Sequence, residues 1–151
     1  AYLMEGAKEL NHTTKLYDIT YEVDGEEYSG LYSFGIMSNA TRVAGIKDFV
    51  KDVKLDDSKF EVLLCNITKK KDIVRSLYYL TTKDITKVPG FYFHKVNKMK
   101  IKFNDNYKMN WCIDGEKLDD NSGEYVIEVV KNIRLLIPTK NVKSLFTNLD
   151  D

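Results

Sequence analysis

Tyr17-Asp18-Ile19-Thr20-Tyr21-Glu22-Val23-Asp24-Gly25-Glu26-Glu27-Tyr28 is the stretch on which the fold turns. Tyr17, Ile19, Tyr21 and Val23 alternate with Asp18, Thr20 and Glu22. One face of this segment is therefore apolar and the other polar, the pattern of a half-buried strand. Asp24-Gly25 follows with two residues that tolerate positive φ, which a two-residue hairpin turn requires at both central positions. A return strand is expected over residues 26–37, ending apolar on both faces in Leu31-Tyr32-Ser33-Phe34-Gly35-Ile36-Met37.

The same period recurs downstream. Phe60-Glu61-Val62-Leu63-Leu64-Cys65-Asn66-Ile67 is continuous enough to be a buried strand, and strands resume after Pro89-Gly90. Met99, Ile101 and Phe103 alternate with Lys98, Lys100 and Lys102. Met109, Trp111 and Ile113 alternate with polar neighbours before a second tight turn at Asp114-Gly115. Tyr125, Ile127 and Val129 alternate again, followed by Ile133, Leu135 and Ile137. Seven or more strands joined mostly by short turns predict an all-β fold, a β-sandwich of antiparallel strands. One or two short helices accompany it. Ile73, Val74, Leu77 and Tyr78 share a helical face within 72–82, and Leu3, Ala7 and Leu10 share one at the N-terminus. Residues 38–58 lose all periodicity, and a stretch of that length without regular structure is often functional.

A chain of 151 residues reads as a single domain, 1–151. At this size folding hides about 70% of the surface that the unfolded chain exposes, so a core forms without disulfides or metals. Lys+Arg and Asp+Glu are both 23. That balance speaks against nucleic acid as a partner, since phosphate neutralisation calls for a basic excess. Cys65 and Cys112 are read as reduced, buried thiols of a cytoplasmic protein. No apolar run approaches the length of a membrane span, and nothing resembles a signal peptide. The chain opens at Ala1 within an apparent helix, the expectation for a piece of something longer.

No Walker loop, dinucleotide fingerprint or nucleophile elbow is present, and no Cys/His cluster has zinc spacing. Carboxylate chemistry remains. Asp56-Asp57 lie in the aperiodic stretch, and Asp114 and Glu116 flank the second tight turn. Adjacent loop carboxylates with free carbonyls suit a hard divalent cation, while Asp in a turn is equally at home with no ligand at all.

These pieces occur in an order. Ala1-Tyr2-Leu3-Met4-Glu5-Gly6, a strand pair, Asn39 in a loop with Gly45, Lys54-Leu55-Asp56-Asp57-Ser58-Lys59-Phe60-Glu61-Val62, and Trp111-Cys112-Ile113-Asp114-Gly115-Glu116 follow one another. The set resembles the C-terminal half of bacterial diacylglycerol kinase-like lipid kinases, a family with sphingosine and ceramide kinases and distantly similar to NAD kinases. The resemblance implies a two-domain parent. Its N-terminal domain would carry a Gly-Gly-Asp-Gly-Thr nucleotide motif, which this chain lacks. Its C-terminal β-sandwich would be this chain, inactive alone and partnered by that nucleotide domain. The implied reaction transfers the γ-phosphoryl of ATP to a lipid hydroxyl at a membrane surface, with cytoplasmic, membrane-peripheral localisation and a homodimer left open.

The resemblance also implies site residues. A structural Mg²⁺ would be held by the Asp57 side chain with the carbonyls of Lys54 and Lys59. Glu116 would act as catalytic base or metal ligand, supported by Asp114. No nucleotide-contacting residue is implied within this chain. Two departures stand out: Ser58 occupies a position where the family usually has Gly, and Asn39-Ala40-Thr41-Arg42-Val43-Ala44-Gly45 lacks the family's glycines. Residues 83–108 carry seven Lys against two Asp, which reads either as a membrane-facing patch or as the solvated face of a strand. Two alternatives stay open: a non-catalytic β-sandwich binding module, and an NAD kinase-like domain.

Overall fold

The structure is a computed structural model; it describes residues 15–41, 50, 52–69, 72, 76, 79, 88–105, 111–118, 122–134, 136 and 145–147. Nine strands lie among them. A four-stranded antiparallel sheet runs in the order β2 (Glu26–Tyr32), β1 (Tyr17–Val23), β6 (Lys98–Phe103), β9 (Glu124–Glu128). A three-stranded antiparallel sheet has β4 (Phe60–Cys65) between β3 (Phe34–Ser38) and β5 (Phe91–Val96). A separate hairpin pairs β7 (Trp111–Ile113) with β8 (Glu116–Leu118).

The sandwich core lies between the two larger sheets. Ile19, Tyr21, Val23, Met99, Ile101 and Phe103 come from the first sheet, and Phe60, Val62, Leu64 and Val96 from the second. These are the apolar positions of the period-two pattern, brought to one face by the pleat. The second sheet is covered on its other face too, where Leu63, Val50, Val53 and Val88 form a smaller cluster with Ile36, Tyr79, Phe91 and Phe93. That second covering layer explains why every residue of β4 is buried and why its sequence does not alternate.

Asp24 and Gly25 have φ of 52° and 81°, and Tyr21 lies opposite Tyr28 across the hairpin. Gly25→Ala should lower stability by about 1–2 kcal/mol, the cost of the left-handed region for a residue with a Cβ. A reduced urea midpoint at constant m-value is the expected result; an unchanged midpoint would mean that the turn relaxes.

Three expectations need correcting. The return strand over 26–37 is two strands in different sheets. Ser33 stands between them and donates both its N–H (2.7 Å) and its hydroxyl (3.0 Å) to the Cys65 carbonyl. The apolar run was two single-faced strands end to end, which makes it look two-faced. The strand expected at Ile133 is absent among the described residues; Ile133 and Leu136 lie in irregular, exposed chain. Cys65 is buried as expected, but Cys112 is exposed. Asp72, Ser76 and Tyr79 carry helical backbone, with Ser76 Oγ donating to the Asp72 carbonyl at 2.7 Å. The rest of that helix and the N-terminal one lie outside the described residues.

Candidate functional site

The Asp114-Gly115 turn closes the β7–β8 hairpin with φ of 50° and 92°, and Ile113 pairs with Glu116 across it. Trp111 anchors the base of this hairpin. Its ring meets Tyr125 at 5.0 Å and Phe103 at 6.1 Å between centroids, both edge-on. Beyond that anchor every residue from Cys112 to Leu118 is exposed. Asp114 and Glu116 therefore stand in solvent at the tip of a short, two-stranded projection. Glu26, the matching residue of the first Asp-Gly-Glu, is engaged differently: it accepts a 2.5 Å hydrogen bond from the Tyr28 hydroxyl.

The acid pair of the loop divides its work. Asp56 accepts from the Thr147 N–H with both oxygens (2.8 and 2.9 Å) and from the Thr147 hydroxyl at 3.0 Å, while the Leu55 N–H donates to the Leu145 carbonyl. This side of the loop holds the C-terminal segment. Asp57 Oδ1 accepts the Lys59 N–H at 2.9 Å, and Oδ2 pairs with Lys95 Nζ at 2.8 Å. Ser58 lies between at φ 58°, the left-handed conformation that favours Gly, and so keeps the turn that its side chain makes costlier.

Lys95 was not singled out by the sequence reading. Its Nζ also lies 3.4 Å from Glu61 Oε1 and donates to the Asp52 carbonyl at 3.2 Å. Glu61 faces Lys95 directly across the β4–β5 pair. It is only 3% exposed, and among the described residues its Oε2 has no hydrogen-bond partner. Burial pushes the Glu61 carboxyl above its usual range, and the pull of Lys95 does not offset it. Burial alone would lower the Lys95 ammonium, but Asp57 first and Glu61 after it outweigh that and raise it. The two directions agree once charges are assigned: Lys95 and Asp57 form the ion pair, and Glu61 is the surplus carboxylate. A signal for this was present in the sequence. A lone Glu within a buried apolar run needs a cationic partner from elsewhere.

With both Asp57 oxygens taken and an ammonium beside them, the donor set does not fit a divalent ion. Among the described residues no three His, Cys, Asp or Glu side chains stand together to hold a metal.

The lysines of β6 do not form an open cationic patch. Lys100 pairs with Glu22 at 2.9 Å and Lys98 with Glu128 at 3.1 Å, while Lys102 stands opposite Glu124. With Asp18 and Glu27 on the same face, carboxylates outnumber lysines there. Alternation is explained by a one-sided solvated sheet.

His94 bridges the sheets. Its Nε2 lies 3.1 Å from the Tyr21 hydroxyl, and its ring packs against Tyr21 and Tyr28. Burial lowers its pKa, with Asp24 and Glu26 opposing more weakly. The folded state thus binds fewer protons than the unfolded one. This contribution is complete above the unfolded value of about 6.5 and is lost as pH falls through the lower folded value. Between pH 7.5 and 5, the wild type should lose stability relative to His94→Gln. Parallel denaturation midpoints across that range would refute it.

No protein-family profile and no curated protein matches this chain by sequence. Solved structures do match its fold. Three come from Bacillus anthracis str. Sterne and bear the name diacylglycerol kinase, two of them provisionally. One gives a TM-score of 0.63 at 13% identity over 83% of this chain and 42% of its own. A second gives 0.58 at 15% identity over 80% and 40%, and a third 0.51 at 17% over 81% and 40%. The fold is shared with part of these proteins. This chain spans about two fifths of their length.

Proposed function

We propose that this chain is the C-terminal β-sandwich domain of an ATP-dependent lipid kinase, transferring a phosphoryl group to the hydroxyl of a diacylglycerol-like lipid. The likeness of its fold to part of three proteins named as diacylglycerol kinases carries the reading. The exposed Asp114-Gly115-Glu116 tip on an anchored hairpin supports it, because a projecting acid can reach a reaction centre on a partner domain.

In this reading an N-terminal domain of the parent cradles ATP. The Glu116 carboxylate accepts the proton of the lipid hydroxyl as its oxygen bonds to the γ-phosphorus. The bond from that phosphorus to the bridging oxygen breaks, and ADP leaves with the electron pair. Mg²⁺ bound with the nucleotide would supply charge neutralisation. Asp114 fixes the turn that presents Glu116. The protein works as a cytoplasmic enzyme peripheral to the membrane, and the acidic balance around β6 speaks against the β6 lysines as its lipid-facing surface. A homodimer is compatible with this arrangement.

The experiment is transfer from ATP to diacylglycerol in mixed micelles by the full-length protein containing this chain, read beside the chain alone. Transfer by the longer protein and none by the chain supports the proposal. Transfer by neither defeats it and leaves the non-catalytic binding module as the reading; phosphorylation of NAD in place of lipid would select the third.

A further inference from the structure

We infer that Lys95 is the resident cation of the 52–61 acid cluster, and that the oxygens gathered on its ammonium become a divalent-cation site only when that ammonium is removed. The inference stands on the loop geometry and is independent of the kinase reading.

Three oxygens converge on Lys95 Nζ from three places: Asp57 Oδ2 at 2.8 Å, the Asp52 carbonyl at 3.2 Å and Glu61 Oε1 at 3.4 Å. Two carboxylates and a carbonyl are the donor types that a hard divalent ion takes. Asp52 and Ser58 both hold positive φ, at 58° each, in the segment that carries two of these donors. Such backbone is kept where surrounding contacts over-determine it; here Asp57 ends on the ammonium and on the Lys59 N–H, while Asp56 is held by Thr147.

Glu61 supplies the independent observation. Its carboxyl is 3% exposed, yet Oε2 has no partner among the described residues. A buried carboxylate oxygen without a donor is costly. One ammonium, already pulled toward Asp57 and Asp52, satisfies only one edge of the Glu61 carboxyl. A divalent ion in its place could take both edges. The ammonium carries a single charge against two carboxylates, so the cluster holds one more acid than its cation balances. Lys95 thus blocks the site in space while leaving it acidic.

The test uses the full 151-residue chain. Melting temperatures of wild type, Lys95→Met and Lys95→Met/Asp57→Asn are measured in chelator and with Mg²⁺ or Ca²⁺ at up to about ten millimolar. A ligand that binds only the folded state raises the midpoint by mass action. The wild type should not respond. Lys95→Met should melt at least about 5 °C lower in chelator, as expected when the cation facing the buried Glu61 carboxylate is removed from a domain of this size. Added Ca²⁺ should restore much of that loss, and Asp57→Asn in the double variant should abolish the restoration.

A saturable rise of the wild-type midpoint that Asp57→Asn removes would overturn the inference, since a metal would then bind beside Lys95. A Lys95→Met protein indifferent to both ions would also overturn it. If Lys95→Met does not fold without metal, refolding is followed with and without Ca²⁺. Recovery only with the ion supports the inference; none with either ion defeats it.

Discussion

Glu116→Gln in the full-length protein should lower kcat for lipid phosphorylation by about 10²–10⁴-fold, the range for loss of a positioned proton acceptor. The fold should not notice. Glu116 is exposed at the mouth of a two-residue turn, and the amide keeps its shape. The internal control is Glu26→Gln in the other Asp-Gly-Glu. Glu26 is tied to the Tyr28 hydroxyl at a sandwich hairpin, so its loss should change kcat by less than about threefold, in keeping with the small effects of most surface changes. Lipid phosphorylation by both variants, read beside their melting curves, decides between the copies. An essential Glu26 with a dispensable Glu116 would mean that the catalytic role belongs to the first hairpin. Two dispensable residues would remove both from the chemistry.

Leu64→Ala should strongly destabilise the core, costing about 2–5 kcal/mol. For a domain of this size that is a fall of roughly 5–15 °C in Tm. Leu64 is 1% exposed at the centre of the sandwich, and its Cδ2 lies 2.9 Å from where a Cβ on Gly35 would stand. Gly35 is its direct cross-strand partner. Gly35→Ala alone should therefore overpack the core and cost about 1–3 kcal/mol. In the double variant the new methyl group meets no Cδ2 and fills part of the space vacated. The double variant should be less destabilised than the sum of the singles by more than about 1 kcal/mol, well beyond the additivity found for independent sites. An additive cycle would mean that β3 shifts away from Leu64 when Gly35 gains its methyl.

Local chemistry made much of the fold legible. Asp24-Gly25 and Asp114-Gly115 both form the positive-φ turns that their residue types favour, and 99–103 buries the face that its alternation marks. Legibility failed where partners lie far away in sequence. Nothing local to Leu31–Met37 says that Ser33 bonds to Cys65 and that the chain changes sheets there. The lysines of β6 left a patch and a solvated face both open, because Glu22 and Glu128 arrive from β1 and β9. At the candidate site, the Asp-Gly-Glu hairpin was readable as a turn. The ion pair of Asp57 was not, because Lys95 reaches it from β5.

The order of strands has a kinetic meaning. The second sheet is assembled from consecutive strands, β3, β4 and β5, whereas the first joins β1 to β6 and so pairs Val23 with Met99. One sheet is nested inside the loop that the other must close. Closing a long loop costs entropy that grows only as the logarithm of its length, about 0.6 kcal/mol per doubling. Prior formation of β3–β4–β5 shortens the effective loop, so the inner sheet is the favoured early structure and the β1–β6 seam the late one. Chains rich in such distant pairings fold slowly. Until the seam closes, the apolar face that β4 turns toward β1 and β6 has no cover, and that interval is when this protein is most exposed to self-association.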